Sequence, residues 1–330
     1  MAVVQVSPER PDPSVMSRAA TLLHRGQIVA FPTETVYGLG ADALDPEAVE
    51  RIYEAKGRPT YNPLIVHVPD AAAAQSLITS WPSAADALAS RWWPGPLTLV
   101  LPKAATVPST ATAGLATVAL RAPAHPVAQA LLRAAGLPLA APSANRSGEV
   151  SPTTAAHVAQ SLGDRVPLIL DAGPTSVGIE STVVDLSGAR PILLRPGMIS
   201  RKMLEEVIGP VDVAQAAGLA ESARPSPGML DRHYAPRARV VLFDRPDEPA
   251  VQDALRTSPS TTGVLHWRQR SVAAVLAEQL PDDPAGYARS LYEALRRMDD
   301  RGASVILVER PPAGSAWEAL HDRLMRAARP

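Results

Sequence analysis

No cysteine occurs in the 330 residues, so disulfides, thiolate zinc sites, iron–sulfur clusters and cysteine nucleophiles are excluded. Lysine is nearly as scarce: Lys56, Lys103 and Lys202 stand against 29 arginines among 32 basic residues. Where arginine has replaced lysine almost everywhere, a lysine that remains carries more information than usual. Neither sign of charge is in excess. With 33 acidic residues the net charge is −1, which argues against a positive coat for gripping nucleic acid. No apolar run approaches the roughly 18 residues of a membrane span. The stretch from Met1 to Val6 lacks a basic region followed by an apolar one, so no signal peptide is expected. A cytoplasmic protein is the expectation. Signature motifs are missing too: there is no G-x-x-x-x-G-K-[ST] loop, no G-x-S-x-G elbow, and no histidine pair at H-x-x-x-H spacing. Gly38-Leu-Gly-Ala-Asp-Ala fits G-x-G-x-x-A, but no strand directly precedes it and no helix opens on it. A dinucleotide site is therefore weakly supported.

What is present describes a globular chain. Apolar residues make up 46%, and the length suggests two domains. Proline, at 34 residues, is about twice its usual share and punctuates the ends of apolar runs. Helices are expected from Ser14 to Leu23, from Pro46 to Tyr53, from Pro126 to Ala135 and from Ser200 to Ile208. Between them, Ile28 to Phe31, Leu64 to Val68, Leu97 to Leu101, Val118 to Leu120 and Leu137 to Ala141 read as short strands. Leu168 to Leu170, Ser181 to Leu186 and Ile192 to Leu194 continue the series. The pattern predicts an α/β (α+β) mixed-sheet domain over 1–208. A Pro/Gly-rich linker follows over 209–236, and a smaller parallel α/β domain over 237–330.

Chemistry is suggested by loops that follow the strands. They are Phe31-Pro-Thr-Glu-Thr, Lys56-Gly-Arg-Pro-Thr-Tyr-Asn-Pro, Arg121-Ala-Pro, Ala141-Pro-Ser-Ala-Asn, Gly178-Ile-Glu-Ser-Thr and Arg195-Pro-Gly. Together they are rich in small hydroxyls, proline, glycine and single cations. Open sheets bind ligands where several such loops converge. Singly, each cation reads as a solvated charge beside a turn, His67 as a sheet histidine, and Ser181 as a strand-edge hydroxyl. Together, Lys56, Arg58, Arg121 and Arg195 on four near-rigid loops suit a polyanion such as a triphosphate.

Those same blocks, in order across about residues 12–208, closely resemble the YrdC-like L-threonylcarbamoyl-AMP synthases of tRNA modification. The family's separated K-x-R…S-x-N signature appears as Lys56-Gly-Arg58 and Ser143-Ala-Asn145. The stretch from Pro227 to Pro236, with His233-Tyr234-Ala235-Pro236, and the α/β segment after it resemble the family's long, two-domain form. The resemblance implies a YrdC-like twisted mixed sheet with helices and a smaller, Rossmann-like C-terminal domain. It also implies a reaction: L-threonine, bicarbonate and ATP, with Mg2+ carried on the phosphates, give the adenylate and pyrophosphate. Lys56, Arg58, Ser143 and Asn145 would be catalytic. Asn62, Thr117, Arg195 and Tyr234, with Arg58 and Ser143, would hold ATP. Thr35, His67, Arg121, Ala141 and Ser181 would hold L-threonine, and no direct protein ligand set for a metal is implied. The adenylate would pass to a downstream tRNA threonylcarbamoyl transferase, with weak RNA contact as a secondary property. Two rival classes remain in view. A noncatalytic RNA-binding module should show a basic face, and a hydrogenase-maturation carbamoyl-transfer domain should carry zinc-finger cysteines. The linker carries Met229, Leu230, His233 and Tyr234, which want cover, so it is expected to fold over the site as a lid.

Overall fold

Helix starts and stops follow side-chain chemistry. Asp12, Asp45 and Asp283 each accept an amide of the first turn, ahead of Pro13, Pro46 and Pro284. Gly57 ends the helix Pro46–Lys56 in the left-handed conformation, at φ 58°. That turn separates Lys56, on the helix, from Arg58, on the loop beyond. The structure, a computed structural model, describes residues 1–214, 233–268, 274 and 276–329.

Eleven strands form the first sheet. In chain order they begin with β1 (Ala2–Gln5), β2 (Val29–Phe31), β3 (Gly38–Asp42), β4 (Ile65–His67), β5 (Leu97–Pro102) and β6 (Thr117–Arg121). They continue with β7 (Leu139–Ala140), β8 (Leu168–Asp171), β9 (Thr182–Asp185), β10 (Ile192–Arg195) and β11 (Asp212–Val213). Their order across the sheet is β1-β8-β2-β3-β7-β4-β6-β5-β9-β10-β11, with parallel and antiparallel pairs mixed. Period-two alternation sorts the side chains. Val29 and Phe31 pack with the helices Pro13–His24 and Pro126–Ala135, while Ala30 enters the cluster beneath Pro46–Lys56 and Ser83–Trp92 on the opposite face.

The second sheet is fully parallel: β12 (Arg239–Phe243), β13 (Thr262–His266), β14 (Leu276–Gln279) and β15 (Val305–Glu309), in the order β12-β15-β13-β14. Helices Pro284–Asp300 and Glu318–Ala327 cover one face, and Pro249–Thr257 packs on the other. The apolar cluster on the first face also takes in Val36, Val150 and Ile179 from the first sheet's loops, so the two domains share a core. Gly178 carries that junction. A Cβ there would collide with the backbone of Ala288 and Arg289, so glycine alone permits the approach. No helix among the described residues is long and apolar enough to cross a membrane.

Several elements depart from the sequence expectation. Strand β3 forms through the two glycines of the G-x-G match, and β11 adds a strand inside the stretch read as linker, parallel to β10. Helices Ser83–Trp92, Ala155–Leu162 and Pro249–Thr257 were not expected. Residues 227–232, which carry Met229 and Leu230 of the lid motif, lie outside the described residues.

Candidate active site

The floor of the site is a matter of register. β4 and β6 run parallel with Ile65 beside Ala119 and His67 beside Arg121. These four share one face, while Val66 and Leu120 point into the helix-covered core. Over that face lies a cavity of about 50 Å³ that gathers nine of the thirteen expected residues: Thr35, Arg58, His67, Arg121, Ala141, Ser143, Ser181, Arg195 and Tyr234.

Three guanidinium groups therefore meet at one small space, and all three residues are buried. Arg121 donates through Nε to Gly95 O at 3.2 Å, through Nη1 to Thr35 Oγ1 at 2.9 Å and through Nη2 to Glu34 Oε1 at 2.6 Å. Two of its five N–H groups remain, one on each terminal nitrogen, which suits a carboxylate. Glu34 is fixed in turn by the Ala124 amide at 3.0 Å. Arg195 donates from Nε to Ser181 O and from Nη2 to Ser181 Oγ, both at 3.1 Å, and Ser181 Oγ also lies 2.7 Å from Thr98 Oγ1. Arg58 is anchored on Asn62 O at 3.2 Å and Pro63 O at 3.0 Å. Burial, then the neighbouring cation Arg195, lowers the Arg58 guanidinium to about 10 against the opposing pull of Tyr53 and Tyr234. Burial and Arg121 push His67 down to about 3, so its ring is neutral at physiological pH.

Lys56 takes a different place from the one expected. Its ammonium donates to the carbonyls of Ser143 and Asn145, both at 2.5 Å, and it does not line the cavity. It clamps the signature loop from behind and so positions Ser143. Asn145 is buried beside it, with Nδ2 on the carbonyls of Arg146 and Glu149. Asn62 is buried behind Arg58. Thr117 sits at the opposite end of β6 from Arg121, about 13 Å along the strand, and is not part of the cavity wall.

Sequence reasoning missed Thr33 and Glu180, which line the cavity, and Glu34, which stands behind it on Arg121. The two acids stand in loops already singled out, beside Thr35 and Ser181, but only their buried pairing with arginines reveals their weight. His233 and Tyr234 form the roof. Their rings meet edge to face at 4.0 Å. Tyr234 is fully buried with φ 60°, in the left-handed region, which costs a non-glycine residue roughly 1–3 kcal/mol.

Buried polar atoms without partners concentrate here. Among the described residues nine such side-chain atoms occur, and five belong to this site: Asn62 Nδ2, His67 Nδ1, Asn145 Oδ1, His233 Nδ1 and Tyr234 OH. Native interiors leave few such groups, so a cluster of them marks where a ligand completes the network.

Fold and site together define a two-domain α/β protein whose guanidinium-lined cavity is closed by a segment of its own chain. Residues 21–197 match the Sua5/YciO/YrdC family model, described as telomere recombination. Residues 199–329 match the model of the threonylcarbamoyl-AMP synthase C-terminal domain. The threonylcarbamoyl-AMP synthases of Pyrococcus abyssi and Bacillus subtilis are each 43% identical to this chain, over 94% and 96% of its length and 93% of each relative. The structure of P. abyssi Sua5 complexed with L-threonine superposes with a TM-score of 0.91 at 42% identity, covering 99% of this chain and 98% of that one. This chain belongs to the Sua5/YciO/YrdC family and is an enzyme of the nucleotidyltransferase type.

Proposed function

We propose that this enzyme makes L-threonylcarbamoyl-adenylate from L-threonine, bicarbonate and ATP, releasing pyrophosphate, as the first step of threonylcarbamoyladenosine modification of tRNA in the cytoplasm. The observation that carries the reading is the cavity itself: three buried guanidiniums and a set of unpartnered polar atoms on one small space. The threonine amine takes up CO2 from bicarbonate as a carbamate, with water as the other product. A carbamate oxygen then attacks the α-phosphorus of ATP, and the β,γ-phosphates leave as pyrophosphate. Such a reaction needs little proton shuttling and much charge stabilisation in a dry space.

The roles are those the family resemblance implies, and the geometry supports them. The two remaining N–H groups of Arg121 take the threonine carboxylate, with Glu34 and Thr35 holding the guanidinium in place. Neutral His67, with Nδ1 unpartnered, and Ser181 complete the amino-acid pocket with the backbone of Ala141. A relative crystallised with L-threonine supports that amino acid as substrate. Arg58 and Arg195 take the phosphates, with Ser143 held on its loop by Lys56. Asn62 Nδ2 and the Tyr234 hydroxyl offer further polar atoms to the nucleotide, and Thr117 contributes only if the nucleotide extends along β6.

Magnesium arrives on the triphosphate. Asn145 Oδ1 is an acceptor without a donor, which suits a hydrated cation and not a phosphate oxygen. The adenylate is then handed to a transferase acting on tRNA.

The present cavity is smaller than ligand pockets of about 300 Å³ or more. The roof therefore withdraws to admit ATP and returns to exclude water from the carbamate and the adenylate. The test is pyrophosphate release by the purified full chain. Release should require L-threonine and bicarbonate together, and release independent of threonine would overturn the reading.

A further inference from the structure

Glu180 lines the cavity but serves neither the threonine nor the phosphate contacts described above. Its buried carboxylate takes Ser151 Oγ at 2.5 Å, Tyr292 OH at 3.0 Å and Arg323 Nε at 2.8 Å. Arg323 Nη2 also reaches the Glu180 carbonyl at 3.4 Å. Ser151 belongs to the first domain; Tyr292 and Arg323 belong to the second. Burial alone would raise the Glu180 carboxyl, but Arg323 and Arg195 outweigh it and hold it below the ordinary carboxylate range.

The same two side chains of the second domain bracket the roof. The Tyr292 ring stacks on Tyr234 with centroids 5.8 Å apart and planes 23° apart, and the Arg323 guanidinium lies 5.1 Å from the Tyr234 ring centre. The Arg323 side chain has no exposure at all. Tyr234 is thus held in a strained conformation by two groups that share one carboxylate of the other domain, Arg323 being paired with Asp322 of its own helix as well.

We propose that Glu180 and Arg323 form an interdomain latch that keeps Tyr234 seated over the cavity, making both positioning residues for the reaction. What the latch retains rests on the functional reading above; that it holds the roof does not. Removing Arg323 leaves the Glu180 carboxylate buried without its main cation, and removing Glu180 leaves Arg323 with only Asp322, 2.7 Å away on its own helix, so the closed state loses more than one hydrogen bond. The closed cavity is too small for a nucleotide, so the latch opens in each turnover. Apparent nucleotide affinity is then scaled by the open fraction. A weakened latch admits ATP more readily and holds the adenylate less well. An ion pair that merely cements two domains would change neither.

Hydrogen exchange on the full chain without substrates tests this directly. In Arg323→Met and Glu180→Gln, the amides of His233, Tyr234, Ala235 and Arg237 should exchange at least tenfold faster than in the unaltered protein. Amides of β5 and β6 should be unchanged. Arg323→Lys, which keeps the charge but not the planar fork, should fall between. Tyr292→Phe, which removes one hydroxyl and leaves the packing, should give a smaller acceleration and carries the test if the Arg323 variants fail to fold. In turnover, Arg323→Lys should lower the KM for ATP and also lower the adenylate recovered per ATP consumed. Unchanged exchange at 233–237 in Glu180→Gln and Tyr292→Phe would overturn the latch. An unaltered protein that makes no adenylate would overturn the functional reading and leave the exchange result standing.

Discussion

The floor and the roof of the cavity are held by different means. On the floor, His67 and Arg121 are placed by the backbone register of β4 and β6, and Arg121 by three further hydrogen bonds to Gly95, Thr35 and Glu34. The roof has no sheet beneath it. Tyr234 is pressed by the Tyr292 ring and the Arg323 guanidinium of the second domain, and the Ala235 amide, 3.0 Å from Gly148 O, ties the chain beyond it to the first. A floor built by strand pairing is preorganised whether or not substrate is present. A roof built by side-chain stacking is conditional, and its occupancy can change within a catalytic cycle.

The comparison breaks most sharply at Arg121. Arg121→Ala leaves Glu34 charged and buried, so unfolding stability should fall by about 3–5 kcal/mol, read by urea denaturation. The threonine KM should rise much more than the ATP KM, and Arg121→Lys should rescue poorly because it cannot make the planar pair. Equal effects on both substrates would assign Arg121 to the phosphates instead. Next comes the phosphate side of the floor. Arg58→Ala should lower kcat/KM by about a hundred- to a thousandfold, the roughly 2.7–4 kcal/mol expected for losing one preorganised donor. Lys56→Ala should cost a comparable amount through displacement of Ser143, with signature-loop amides becoming exchange-labile, which Arg58→Ala should not cause.

A pH series compares floor and roof directly. His67 below and His233 above both lie near 3 when folded, each driven down first by burial. The unfolded chain binds a proton on each near 6.5, so between these values it holds more protons than the folded state. Stability is therefore at its maximum above about pH 6.5 and falls with acid by roughly 1.4 kcal/mol per pH unit for each histidine. Glu180 extends the fall below the ordinary carboxylate range. For His67→Gln the slope in that interval should fall by roughly 1.4 kcal/mol per pH unit, with His125, also lowered by burial, still contributing; an unchanged slope would remove His67 as a source.

The smallest effect concerns a single oxygen. The Tyr234 hydroxyl is buried without a partner, so Tyr234→Phe should leave stability unchanged or raise it slightly. Nucleotide affinity should instead weaken by about 0.5–1.5 kcal/mol, measured by calorimetry. A loss of stability with no change in binding would place the hydroxyl in the protein's own network.

Much of the floor was legible in the sequence because its residues sit at the ends of strands with clear patterning. Thr35, Arg58, Arg121, Ser143, Ser181 and Arg195 stand in loops of that kind, His67 entered only through the family resemblance, and all seven do meet. Strand β3 was not legible. Glycine argues against a strand, and what favours it here is a tertiary contact: a Cβ on Gly40 would press on the Phe31 ring at 2.7 Å. Lys56 stood out in the sequence as one of three lysines, but its hold on the signature loop depends on two backbone carbonyls some ninety positions on, which no spacing announces. The Glu180–Arg323 pair spans 143 positions, and neither residue carries a local pattern.

The core shared by the two sheets bears on how such a chain could be shortened. Val36, Val150 and Ile179 are roofed by the second domain as interior residues, beneath Tyr287, Leu291 and Leu320. Cutting the chain after Gly209 would turn that interior into surface, an adhesive apolar patch on an otherwise well-covered domain. A descendant cut there would first have to repaint those three positions with polar side chains, while the left-handed backbone of Gly178, at φ 85°, would still favour glycine.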